Sequence, residues 1–158
     1  MSTADQTPEN RLAAAGIDLP APVKPLANYV PATRTGNLVY TAGQLPLANG
    51  TLLAEGKVGA GVTPEQAHAA ARQAAVNALA AVKGEIGELS RVVRVVKVVV
   101  FVASAPDFTA QPAVADGASS LLDVAFGEAG RHSRSAVGVC VLPRDAAVEV
   151  EIIVEVAS

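Results

Sequence analysis

Residues 92–103 read VVRVVKVVVFVA, and this run limits the possible folds more than any other part of the chain. β-Branched side chains are stiff at χ1 and favour extended backbone. Successive side chains of a strand point to opposite faces, and here both alternating sets are apolar. Both faces of such a strand must meet apolar material. Arg94 and Lys97 interrupt the run, and a membrane helix needs about 20 consecutive apolar residues. The segment therefore reads as a central strand of a sheet. Two helices on a 158-residue chain cover one face of that sheet. The other face is expected to pack against further copies of the chain.

The flanking elements follow from local signals. Thr63-Pro64-Glu65 starts a helix with a hydroxyl cap, a proline at the first helical position and an acid near the positive end. Ala67, Ala70, Ala71, Ala74, Ala75, Ala78, Leu79 and Val82 follow at helical spacing, and Gly84 and Gly87 end the element. The stripe is mostly methyl groups, so this helix can lie close to its support. Residues 113–126 form a second, weaker helix, and 127–133 a loop. Residues 29–33 and 38–43 read as strands around an Arg34-Thr35-Gly36-Asn37 turn. Residues 45–61 read as a long glycine-rich loop. Residues 134–142 and 148–156 are strands joined through Pro143, which makes them expected antiparallel neighbours. In the last strand Val148, Val150, Ile152, Val154 and Val156 share one face, and Glu149, Glu151, Ile153 and Glu155 the other. The order is β-β-α-β-α-β-β, an α+β sheet with two helices on one face. Residues 1–27 read as an N-terminal arm broken by Pro8, Pro20, Pro22 and Pro25. Only residues 11–15 are expected to be helical there, and the arm is expected to add little core. Residues 28–158 read as one domain.

Composition removes several classes of function. The chain is 51% apolar with net charge −3, which excludes disorder and leaves no basic excess for a nucleic-acid partner. Three Phe, two Tyr and no Trp make a poor base-stacking platform. There is no membrane span, and residues 1–10 lack the apolar core of a signal peptide. Cys140 is the single cysteine, so it has no internal disulfide partner. It fits a reduced, cytoplasmic setting and reads as a small buried hydrophobe. His68 and His132 lie far apart in sequence and one thiol cannot complete a zinc site with them, so no metal is expected.

Few residues remain for chemistry. Arg134 opens a strand of small and apolar residues. It is either a strand-edge arginine paired with a local acid or a two-pronged anchor for a carboxylate. Glu149 and Glu151 leave the non-core face of the last strand. They are solvated there, or, under a second subunit, one of them orients water as a general base. His132 reads as a surface loop residue or a base, and His68 as solvated. Gly43-Gln44 is either a tight strand exit or an anion-binding backbone amide. No phosphate loop, dinucleotide fingerprint or serine elbow is present.

Several segments, in order, resemble the Rid (YjgF/YER057c/UK114) family of enamine/imine deaminases. The carrying residues are Tyr29, then Tyr40-Thr41-Ala42-Gly43-Gln44-Leu45-Pro46, residues 97–102 ending in Phe101-Val102, and Pro106-Asp107-Phe108. Arg134-Ser135 through Leu142-Pro143 to Val148-Glu149-Val150-Glu151 completes them, so the likeness covers residues 28–156. The long N-terminal arm and Gly-Glu-Ala-Gly-Arg-His before the arginine are similar to one subgroup.

The resemblance implies a chorismate-mutase-like fold of the bacillus type and a homotrimer with three intersubunit sites. It implies a 2-iminobutanoate/2-iminopropanoate deaminase-like hydrolase, acting on a small imine or enamine that carries a carboxylate, with no cofactor. Carried over by position, Arg134 would hold the carboxylate and Gly43 would add a backbone hydrogen bond. Glu149 would hold the attacking water, and Tyr29 would line the cleft of a neighbouring subunit. A substrate-lining asparagine of the family's second helix corresponds to Asp116 or Gly117. The sequence departs from the archetype at Ala42, at His132-Ser133 and at Ala136, where Cys140 is no substitute. A non-catalytic trimer that binds small carboxylates is the alternative expectation.

Overall fold

The computed structural model describes residues 6–22 and 27–158; expectations for residues 1–5 and 23–26 lie outside the described residues. Helix α1 (Pro8–Ala14) begins three residues before the helix read from the sequence. Pro8 starts this element instead of breaking it: it occupies the first turn, and the Thr7 hydroxyl accepts the Asn10 N–H at 3.2 Å. Strands β1 (Ala32–Thr35) and β2 (Leu38–Thr41) form the expected hairpin, with Gly36 at φ 56° in its turn. The expected loop at 45–61 contains two small ladders, β3 (Leu47–Ala48) with β4 (Thr51–Leu52) and β5 (Lys57–Val58) with β6 (Gly61–Val62). Asn49 and Gly50 both have positive φ, which closes the β3–β4 hairpin in two residues.

Helix α2 (Pro64–Ile86) starts in a reciprocal capping box. The Gln66 N–H donates to Thr63 Oγ1 at 3.1 Å, and the Thr63 N–H donates to Gln66 Oε1 at 2.9 Å. The helix runs through Gly84 and stops at Gly87, whose φ is 89°. Strand β7 (Val92–Ala103), helix α3 (Gln111–Phe126), strand β8 (Ser133–Val139) and strand β9 (Val148–Val156) complete the chain. The main sheet has the order β1-β2-β9-β7-β8. Strand β8 runs parallel to β7, and every other pairing in that sheet is antiparallel. The last two strands are therefore not neighbours, because β7 lies between them. Their connection turns on Arg144 and Asp145, both near φ 60°. It is tied down by hydrogen bonds from Gly56 N–H to Asp145 O and from Ala147 N–H to Ala54 O.

Two register breaks set the faces of β7. Val92 pairs with Val156, Arg94 with Glu155, Val95 with Val154 and Lys97 with Ile153, so Val93 and Val96 are extra residues. Arg94 and Lys97 are three apart, and unbroken alternation sends one of them into the core. The extra Val96 brings both to the face shared with Glu155 and Ile153. Val95, Val98, Val100 and Val102 turn inward and are at most 0% exposed, against the β9 set from Val148 to Val156. The alanine stripe of α2 and Leu121 and Leu122 of α3 close this core. The other face carries Leu38, Tyr40, Val99, Phe101, Val137 and Ile153, and the protomer leaves it open, with Tyr40 41% and Val137 43% exposed.

The arm contributes more to the core than its composition indicates. Leu12 is completely buried within the main cluster, and α1 packs on α3. Glu9 Oε1 accepts the Leu89 N–H at 2.8 Å and lies 3.6 Å from Lys83 Nζ. Leu12→Ala is expected to cost about 2–5 kcal/mol, the range for emptying a buried leucine site. Urea denaturation checks this, and an unchanged midpoint would return the arm to the role read from the sequence.

Candidate active site

Arg134 sits on β8 opposite Val98, on the helix-facing side of the sheet edge. Its Nη1 donates to Asp116 Oδ1 at 2.7 Å and to Ser119 Oγ at 3.1 Å. Asp116 and Ser119 are three residues apart on α3, so they share one side of that helix. Ser119 Oγ lies 2.9 Å from His132 Nε2, and His132 Nδ1 lies 2.6 Å from the Gly130 carbonyl. A carbonyl only accepts, so Nδ1 carries a hydrogen. A hydrogen-bonded chain then links Arg134, Ser119, His132 and the Gly130 carbonyl. A cavity of about 340 Å³, lined by Ser119, Asp123, Gly130, Arg131 and His132, adjoins it. The local-acid reading of Arg134 is therefore the arrangement in the protomer, and Asp116 is the acid.

Glu149 stands on β9 opposite Phe101, on the open face of the sheet. Gly43 lies against it so closely that a methyl group on Gly43 would overlap Glu149 Oε1. Burial raises the Glu149 pKa above its ordinary 4.5, and repulsion from Glu151 adds to the rise. The segment carrying Gly43 is held at several points. The Ile152 N–H donates to Thr41 Oγ1 at 3.0 Å, and Gln44 and Val150 exchange backbone bonds at 2.8 and 3.0 Å. Asn77 of α2 then donates from Nδ2 to the Leu45 and Leu47 carbonyls at 2.9 and 3.0 Å.

The structure brings Arg134 together with Asp116, and Glu149 together with Gly43, but it keeps the two pairs apart. Two strand spacings and three residues of register separate them, roughly 14 Å, and they lie on opposite faces of one sheet. Tyr29 is 57% exposed. Its segment runs beside the Gly43 strand end, where the Ala42 N–H donates to Pro31 O at 2.8 Å. Gly117 is placed at a helix–helix contact. It is buried where α3 meets α2, and a methyl group there would overlap the His68 carbonyl oxygen. Cys140 is exposed, not buried, because β8 ends at Val139.

Sequence reasoning passed over Asn77 and Ser119. Asn77 is 3% exposed amid the alanines of α2, and a single amide on an apolar stripe is the signal that a backbone carbonyl needs a donor. Ser119 gives no signal beyond its three-residue spacing from Asp116. A groove of about 460 Å³ beside Pro22, β1 and α2 includes Arg34 and Glu85, and there Arg34 Nε and Nη2 donate to the Gly36 and Ala157 carbonyls. Among the described residues no group of three or more His, Cys, Asp or Glu side chains could hold a metal ion. No helix among them is long and apolar enough to cross a membrane.

Comparison with known proteins agrees with this architecture. Residues 9–156 match the family described as "YjgF/chorismate mutase-like, putative endoribonuclease". Protein TCP17 of Trypanosoma cruzi is 45% identical over 141 residues, covering 89% of this chain and 88% of that protein. The crystal structure of Atu1372 from Agrobacterium tumefaciens is 46% identical, with a TM-score of 0.90, and covers 96% of this chain and 94% of that one. TdcF of E. coli, solved with bound serine, is 27% identical, with a TM-score of 0.63, and covers 87% and 94%. The chain belongs to the YjgF/chorismate-mutase-like family, with its mixed α+β fold.

Proposed function

We propose that this protein is an enamine/imine deaminase that converts small 2-imino or 2-enamino acids to 2-oxo acids and ammonia. The observation that carries the reading is Glu149, a half-buried carboxyl of raised pKa set against the Gly43 backbone. Such a group suits proton exchange with a reacting water. Arg134 supplies the carboxylate anchor. The enamine first tautomerises to the imine, which takes a proton from solvent to become the iminium. Glu149 then takes a proton from water as the water oxygen bonds to the imine carbon, and the C=N π pair moves to nitrogen. The carboxyl returns a proton to nitrogen, the C–N bond breaks and ammonia leaves. The hydroxyl proton is lost as the C=O bond forms.

The two half-sites face opposite ways in one protomer, so the reading places each active site between subunits of a homotrimer. The open sheet face, with Phe101, Val137 and Tyr40, is the surface that neighbouring copies would cover. The serine bound to TdcF supports a small ligand of this kind. The exposed lone thiol of Cys140 is compatible with a cytoplasmic setting. A second reading, a non-catalytic carboxylate binder, draws on the fact that Asp116 already occupies part of Arg134. Ribonuclease activity, named in the family description, has little support here, since a chain of net charge −3 lacks a cationic track for phosphates.

The test is release of 2-oxo acid from freshly generated imino acids by wild type and Glu149→Gln. The amide is expected to lower kcat about 100-fold or more while leaving carboxylate binding nearly unchanged. Because the Glu149 pKa is raised, its base form is reached at higher pH than for an ordinary glutamate. The acid limb of the wild-type kcat/KM profile is expected to be displaced upward, and Glu149→Gln to remove it. The same shift sets a sign for stability. The fold binds this proton more tightly than the unfolded chain does, so its contribution is full below the ordinary pKa and is lost as pH rises through the raised value. Equal rates for wild type and variant would reject the catalytic assignment.

A further inference from the structure

Asp116 and Arg134 form an ion pair whose unused atoms describe a ligand. A guanidinium Nη1 carries two hydrogens, and both are spent here, one on Asp116 Oδ1 and one on Ser119 Oγ. Among the described residues, Nη2 and Nε make no hydrogen bond, so the Nε/Nη2 edge keeps two parallel donors. Asp116 Oδ2 is likewise unspent, on a side chain that is 59% exposed, beside an arginine side chain that is 24% exposed. The Ser119–His132–Gly130 chain fixes which guanidinium nitrogen is occupied.

This arrangement is unsuited to a simple anion. A carboxylate arriving at Arg134 meets a charge that Asp116 has already neutralised, and it meets the Asp116 charge as well. A ligand with a carboxylate and a cationic nitrogen on the adjacent carbon satisfies both partners. We propose that the Arg134–Asp116 pair is a zwitterion receptor, which selects 2-amino acids and protonated 2-imino acids and discriminates against 2-oxo acids and plain carboxylates. The inference rests on the reading of Arg134 as the carboxylate anchor and adds the specificity determinant. Its chemical consequence is directional. Substrate and product share the carboxylate, and only the protonated imine carries the positive nitrogen. Asp116 therefore holds the iminium, the form most open to attack by water, and weakens the hold on the 2-oxo acid once nitrogen has left.

The experiment is calorimetric titration of the full chain with three ligands of one skeleton: 2-aminobutanoate, butanoate and 2-oxobutanoate. Wild type is expected to bind the amino acid about tenfold or more tighter than the other two, the scale of one charge-assisted hydrogen bond. Asp116→Asn keeps shape and removes the charge. It is expected to weaken the amino acid and strengthen both simple acids, inverting the order. Arg134→Ala is expected to lose all three. If Arg134→Ala loses all three but Asp116→Asn moves them together or not at all, the zwitterion assignment fails and the anchor stands. If Arg134→Ala binds the ligands as tightly as wild type, the anchor itself fails. Absence of binding to wild type at millimolar ligand overturns the proposal as well.

Discussion

Arg134→Ala is expected to bring 2-oxo acid release down to the uncatalysed rate, while the fold survives. Two charge-assisted bonds from one guanidinium edge contribute roughly 3 kcal/mol or more to holding a carboxylate, which is more than 100-fold in kcat/KM. The stability side is small. The Arg134–Asp116 pair lies at the surface, with Asp116 59% exposed, and such pairs contribute about 0–1 kcal/mol. Arg134→Lys keeps the charge but replaces a planar fork with a single ammonium, so it is expected to recover little of the rate. A variant with wild-type turnover would remove Arg134 from the mechanism, whatever the fate of Glu149.

A second large loss of stability is expected from Gly117. Two effects oppose each other when Gly117 becomes alanine. Helix propensity favours the change by about 1 kcal/mol in mid-helix. The added methyl group overlaps the His68 carbonyl oxygen of α2, which is backbone and cannot swing away. Separating two packed helices loosens the alanine interface along its length, and a clash with backbone sits at the upper end of the overpacking range of about 1–3 kcal/mol. The clash therefore wins, and Gly117→Val should be worse than Gly117→Ala. Urea midpoints decide the matter: an alanine variant as stable as wild type would mean that α2 and α3 can separate freely.

Much of this was legible in the residues. The Thr63-Pro64-Glu65 start fixed the beginning of α2, and strict alternation from Val148 to Val156 assigned both faces of β9 correctly. What escaped depends on contacts distant in sequence. Gly117 looks like a site residue or a weak helix former until α2 is laid across it. Leu12 looks like part of a polar arm because the surface that buries it is built from residues more than 70 positions away, such as Leu89. The short stretch around Pro143 suggests a hairpin. Only the parallel partnership of β8 with β7 shows that the chain crosses the end of β7 there. In the sequence Arg134 reads as either a paired edge arginine or a ligand anchor, and the ion pair with Asp116 leaves an edge for the second role as well.

The two extra valines of β7 also shape the sheet. The eleven residues 92–102 of β7 are paired with the nine residues of β9 along a common run. Two residues of surplus contour, about 6.6 Å, cannot be stored in a straight ribbon. The longer strand must arch over the shorter, much as a bimetallic strip bows when one layer lengthens. Removing Val93 and Val96 together would leave every remaining side chain on its present face and take the bow out of the sheet. The bend that such bulges give the Glu155 end of the sheet is thus written as a difference in length between two neighbouring strands.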